Sequence, residues 1–305
     1  TDAHLFAAWL LLLAAALFLV LKWGQRLDEF NGALNLVAVV LISFPVFSIA
    51  RASQLQPSYD PANLLGEPFE IQPTANGYGK ALPDIYYIIL DGFPREDVLA
   101  EFYEYDSSAF SGRLRELGFY VADESQTNYI HTVYAMIAAL SADYLQTVLE
   151  DYDLEGQPWT VLNEMLGSSV MCPTFKQIGY SHILYDNTLP AFSQSACADT
   201  VRGYNHLNQL DTILLQTTLL RPFMADTVTE SYRNSQQFIL DDLPEVARLP
   251  QPTFTYAHIL LPHPPMVFGR NGEEVEIVDE KYWSTPGAMN PELRDAYLDQ
   301  TIYTA

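Results

Sequence analysis

Six consecutive apolar or aromatic residues, Ile85 to Leu90, close on Asp91-Gly92. The run is too short for a stable helix and has no polar alternation, so it reads as a strand buried on both faces. Such strands belong to parallel sheets sandwiched between helices, which makes the chain α/β. In open sheets of this kind ligands bind beyond the carboxyl ends of the strands. Asp91 is therefore a candidate metal ligand, and Gly92 lets the backbone turn away beside it.

The rest of the chain alternates in the same way. Helical patterns are predicted over 95–103, 107–117, 132–140, 159–166, 207–219, 231–240 and 291–304. Strand patterns fall at 119–122, 181–185 and 253–261. Strands separated by helices predict a mostly parallel sheet with helices on both faces, over residues 83–305. Tyr86, Tyr87, Tyr103 and Tyr105 read as packing residues. Residues 52–82 hold Pro57, Pro61, Pro68 and Pro73 without periodicity and read as a linker.

Ahead of the linker lie two apolar runs. Residues 5–21 carry no charge and are followed by Lys22 and Trp23, suited to a membrane interface. The second run, 32–50, is interrupted by Asn35, Ser43 and Pro45. Two transmembrane segments, 5–22 and 32–50, are expected within residues 1–51. A signal peptide is the competing reading of the first, but it lacks a basic n-region and a small-residue cleavage site. Lys22 and Arg26 between the runs place that loop in the cytoplasm, so the large domain is expected outside. The lipid bilayer is the partner this predicts.

Charge is divided unevenly. Lys22, Arg26 and Arg51 balance Asp2, Asp28 and Glu29, so the whole net charge of −23 falls after residue 51. An acidic domain of this kind repels nucleic acid, which is excluded as a partner. It also repels anionic substrates unless a cation intervenes. Cys172 and Cys197 are the only cysteines. In an extracytoplasmic domain they predict a disulfide; no CxxC or HxxxH spacing supports zinc. Asp151, Asp153 and Glu155 form an acidic run that reads as a solvated loop, with calcium as the alternative.

Two further segments can carry chemistry. Ser125-Gln126-Thr127-Asn128-Tyr129-Ile130-His131-Thr132 runs from a polar loop into an Ala-rich apolar helix. Thr132 at its start is either an N-cap or a hydroxyl nucleophile in the field of a helix N-terminus. His258-Ile259-Leu260-Leu261-Pro262-His263-Pro264-Pro265 leaves a strand, and its prolines stiffen the loop around His263. That histidine is either a surface residue or a site residue.

Taken together, the strand ending in Asp-Gly, the S-x-x-N-Y-x-x-T helix start and the H-x-x-x-P-H-P-P loop resemble the alkaline phosphatase superfamily. The likeness is to its membrane-anchored sulfatase-like branch, which includes lipoteichoic acid synthases and phosphoethanolamine transferases. The resemblance covers most of 82–305. It implies Asp91 as metal ligand and Thr132 as nucleophile and metal contact. It also implies His263 as a substrate contact, with His258 and Asn128 as companions. A divalent metal, zinc, manganese or magnesium, is implied with it. Thr132-Val133-Tyr134-Ala135 stands where formylglycine sulfatases need Cys-x-Pro-x-Arg, which points to threonine chemistry on phosphorus. The activity implied is transfer or hydrolysis of a phospho-group from a phosphodiester, lipid- or glycan-linked. The alternatives are a sulfate or phosphate ester hydrolase of the same fold, or a silent membrane-anchored binding module. No Asp-His dipeptide of the kind that completes the family's metal site occurs in the chain, and residues 297–305 read as helix. The expectation is a chain truncated at its C-terminus.

Overall fold

The computed structural model describes residues 2–23, 28–55, 68–71, 82–149, 158–189, 192–195, 197–204, 207, 209–218, 221–276 and 291–305. Most of the expected linker and the Asp151–Glu155 acidic run lie outside the described residues. The chain divides into two compact units, residues 1–60 with 213–225, and residues 61–212 with 226–305.

In the first unit, α1 spans Asp2–Trp23 and α2 spans Asp28–Leu55 with Pro45 inside it. Within α2 the stretch Leu34–Arg51 has mean hydropathy 2.0 and none of it is buried. Among the described residues it is the one helix long and apolar enough to cross a membrane. Among the described residues Trp9–Lys22 of α1 is a shorter apolar stretch, so one helix meets the measure and the expected pair of spans is not shown. A signal sequence near an N-terminus meets it as well.

The second unit is α/β. Four strands, β1 Ile85–Leu90, β2 Ser181–Tyr185, β3 Thr200–Arg202 and β4 Thr253–Ile259, form one parallel sheet in the order β1-β4-β2-β3. Strand β4 lies inside the sheet and every one of its residues is buried. Its polar members need partners there, since an unpaired buried polar group costs about 1–3 kcal/mol. Asp84 supplies them for Thr253, accepting from its amide at 2.8 Å and from its hydroxyl at 3.0 Å.

Alternation along the strands separates two cores. On one face Ile183, Tyr185, Ala257 and Ile259 pack with Ile239 and Val246 of the helix Arg221–Val246. On the other, the Phe254 ring lies 4.6 Å from Phe175 of the helix Met171–Gln177. On that same face the Tyr256 hydroxyl meets Met136 of the helix Thr132–Ser141. In chain order the helices of this part are α3 Glu96–Tyr103, α4 Ser108–Glu116, α5 Thr132–Ser141, α6 Leu145–Val148, α7 Pro158–Gly167, α8 Met171–Gln177, α9 Gln209–Thr217, α10 Arg221–Val246 and α11 Pro291–Thr304. Each face of β4 is thus covered by helix, as periodicity predicts.

Several expectations change. Residues 119–122 form no strand; Phe119 and Tyr120 are exposed, and strand propensity without a neighbouring strand is not enough. The short α6 and β3 carry too little pattern to be seen in sequence, and the 231–240 signal is the middle of the longer α10. Edge strand β1 leaves Tyr86 and Ile88 exposed, so the all-apolar run is not buried on both faces. Tyr87 and Tyr103 do pack, against Tyr256 and Tyr297.

One buried group makes this unit sensitive to acid. His182 of β2 stacks on Phe254, is 3% exposed, and leaves Nδ1 without a hydrogen bond. Burial pushes its pKa down to about 4, outweighing the attraction of Asp199. The unfolded chain, with an ordinary histidine, binds the proton first as pH falls below about 6.5. Stability therefore declines from there until the folded value is reached. Between pH 7 and pH 5 the loss is about 2 kcal/mol, measured by urea unfolding. A His182→Phe variant should show that much less dependence on pH.

Candidate active site

The end of β1 is fixed through its main chain. The Asp91 amide donates to Ile259 O at 2.9 Å, continuing the β1–β4 ladder beyond the strand. The Asp91 carbonyl accepts from the His263 amide, also at 2.9 Å. Gly92 turns the chain with φ +78°, a left-handed conformation that side chains disfavour. A Cβ there would already touch the backbone of His263 at 3.5 Å. Strand end and proline loop are therefore in direct contact, with glycine between them.

The loop after β4 is held from one side by α11. Gln300 is fully buried; its Oε1 accepts from the amides of Val267 at 2.8 Å and Phe268 at 3.2 Å. Its Nε2 donates to Pro262 O at 3.2 Å and His263 O at 3.3 Å. One turn earlier Tyr297 donates its hydroxyl to Gly92 O at 2.7 Å. Both turns that carry the candidate residues are thus tied to one helix.

The Asp91 carboxylate meets His258, whose Nε2 lies 3.3 Å from Oδ2. The contact is long and off-line, and the Nε2 atom has no well-formed partner. Burial works to raise the Asp91 carboxyl. His258, His263 and the Gly92 amide outweigh it and hold the group below its ordinary carboxylate value. His258 is 1% exposed and sits in β4, where Phe192 covers its ring edge-on at 4.7 Å. Its position is that of a buried support beneath Asp91. His263 is exposed on the loop, with its Nδ1 2.8 Å from Pro264 O.

Asn187 completes this cluster, and sequence reading missed it. It is fully buried, and its Nδ2 lies 3.0 Å from both His258 Nδ1 and His258 O. The available signal was positional: Asn187 follows β2 by two residues, at the same end of a strand as Asp91 and His263.

Thr132 and Asn128 occupy a neighbouring element. The N-cap position of α5 is His131, with extended backbone and no side-chain cap. Thr132 is the first helical residue, so the N-cap alternative does not describe it. Its hydroxyl forms no hydrogen bond among the described residues. Met136 reaches Tyr256, and one turn on Leu140 shares a small cavity with Tyr256, Leu184 and His182. The helix thus packs on the face of the sheet that carries Tyr256. Asn128 lines a groove of about 490 Å³ between the 126–129 loop and the alanine face of α5, with Tyr87 of β1 on its wall. Tyr129 pins that loop, accepting from the Leu145 amide at 2.7 Å and donating to Gln146 at 2.8 Å. The structure joins Asp91, His258 and His263; no contact among the described residues links them to Thr132 or Asn128.

Cys172 and Cys197 form a disulfide, with a sulfur–sulfur distance of 2.02 Å. A ring nitrogen of His182 and the two sulfurs fall within 4.8 Å of one another. With both sulfurs committed to each other, this group has no thiolate to give a metal.

Removing the Gln300 amide tests the support of the loop. Gln300→Leu leaves two buried amides without acceptors and should cost at least about 2 kcal/mol in urea unfolding. Comparisons with protein-family models, with curated proteins and with solved structures gave no match.

Proposed function

We propose that the protein is a membrane-anchored, metal-dependent phosphotransferase or phosphodiesterase with an alkaline phosphatase-like, sulfatase-like catalytic unit. The observation that carries the reading is Asp91. It is a carboxylate kept ionised despite burial, at the carboxyl edge of a parallel sheet, with the His258 imidazole 3.3 Å from it and the His263 amide bonded to its main-chain carbonyl. A perturbed carboxylate at that edge is the pattern expected of a site.

Of the residues named, Asp91 is the one whose chemistry suits a divalent cation. Asp91 offers a hard oxygen ligand and carries a carboxylate oxygen that its one side-chain partner meets only loosely. Asp91 and Thr132 would hold the ion, be it zinc, manganese or magnesium, with His263 facing the substrate beside Asn128. Such an ion would lower the pKa of a hydroxyl and offset charge on phosphoryl oxygens. Thr132 lies at the positive end of α5, where an alkoxide and an anionic phosphate are both favoured. In the first step its Oγ would bond to phosphorus while the bond from phosphorus to the leaving oxygen breaks, and the threonine proton would end on that oxygen to release the alcohol. In the second, the oxygen of an alcohol or water would bond to phosphorus as the Oγ–phosphorus bond breaks, and the acceptor's proton would return to Thr132.

The Cys172–Cys197 disulfide supports an extracytoplasmic placement, since such bonds persist in oxidising compartments. The apolar Leu34–Arg51 helix supports attachment to the bilayer. With an ester substrate in place of a diester, the same residues describe a sulfate or phosphate ester hydrolase. The absence of any described contact between Thr132 and Asp91 favours the rival reading, a silent binding module of the same fold.

Thr132→Ala should lower metal-dependent phosphodiesterase activity by about a thousandfold or more, assayed on an aryl phosphodiester. An unchanged rate removes threonine from the reaction. Stoichiometric divalent metal in the purified protein supports the enzyme; well-folded protein with none supports the silent module.

A further inference from the structure

Asn187 can be oriented without reference to any hydrogen atom. Its Oδ1 accepts from the Leu189 amide at 3.1 Å, and a backbone N–H can only donate. Its Nδ2 faces His258 O at 3.0 Å, and a carbonyl can only accept. Both ends of the side chain are thus assigned by main-chain groups whose roles cannot reverse. The Nδ2 that lies 3.0 Å from His258 Nδ1 is therefore a donor, and Nδ1 must be the acceptor. A proton on that nitrogen would point into the hydrogens of the amide.

The same reasoning gives the opposite answer for His263. Its Nδ1 lies 2.8 Å from Pro264 O, again an obligate acceptor, so the ring carries a proton on Nδ1. In the neutral ring Nε2 is then the nitrogen with the lone pair.

We infer that His258 and His263 are held in opposite tautomers, and that this divides their work. His258 keeps its proton on Nε2, which lies 3.3 Å from Asp91 Oδ2 without a well-formed hydrogen bond, so it supports the carboxylate from beneath and offers it no lone pair. His263 is the imidazole whose Nε2 can bind a cation or accept a proton. Asn187 is the positioning residue that sets the difference. Metal-site carboxylates and imidazoles are commonly oriented by partners of this kind. The consequence for catalysis rests on the function proposed above; the tautomers rest on the backbone partners alone.

The test is a two-bond proton–nitrogen correlation spectrum of the full-length protein, labelled with 15N-histidine and held in nanodiscs at pH 8. Signals are assigned with His258→Gln and His263→Gln. His258 should show a protonated Nε2 and a bare Nδ1, and His263 the reverse. Asn187→Asp replaces the donor with an acceptor and should bring a proton to His258 Nδ1 while His263 stays unchanged. The inference is overturned if both rings share one tautomer, or if His258 Nδ1 remains bare in folded Asn187→Asp. Should that variant not fold, the spectrum of the native protein decides alone. A phosphodiesterase rate unaffected by Thr132→Ala would remove the proposed reaction without moving these protons. A wrong tautomer would leave the reaction standing.

Discussion

The candidate site depends on the pairing of β1 with β4, carried one residue past the strand by the Asp91 amide and Ile259 O. In a parallel pair the two strands leave the sheet at the same end, so their exit loops are neighbours. Here the register sets Ile89 opposite His258 and Leu90 opposite Ile259. One step further, Asp91 meets the loop that carries His263. Had the register slipped by one residue, His258 would face the opposite layer and the carboxylate would lose its support. The constellation is therefore a consequence of strand pairing, and strand pairing is held by the burial of β4 on both faces.

Parts of this were legible in the chain. The apolar run before Asp91, the Pro-rich loop around His263 and the polar entry to α5 each sit on a strong local pattern, and each marks an end of a strand or helix. Asn187 was not legible, because its role depends on a partner 71 residues away and its own surroundings look like an ordinary loop. The same limit explains His258. From sequence it is one more residue near a loop, whereas in the sheet it is buried beneath a carboxylate. Residues 119–122 show the converse, strand-like composition with no neighbouring strand to pair with. Edge position, which exposes Tyr86 and Ile88, is likewise a property of sheet order that a strand's own residues do not encode.

The acidic balance of the chain gives the cluster added meaning. Among the described residues of the second unit, lysines and arginines stand in ion pairs, as Arg202 does with Asp242 and Lys176 with Asp199. An anion approaching such a surface meets repulsion at distances within the Debye length, about 8 Å at physiological salt. The α5 N-terminus is one local source of positive potential, and under the proposed function a cation at the carboxyl edge would be another. Under the proposed function, affinity for an anionic substrate would be coupled to occupancy by a cation.

The clamp formed by Gln300 and Tyr297 has a consequence for how the site can change over time. These two side chains bind the main chain of the neighbouring turns at Gly92, Pro262, His263, Val267 and Phe268. Main-chain groups are the same whatever side chains they carry. Exposed side chains of the loop can therefore be replaced, and selectivity altered, while its path is preserved. The tolerance for innovation at the loop is thus stored in a helix that contributes none of the proposed chemistry.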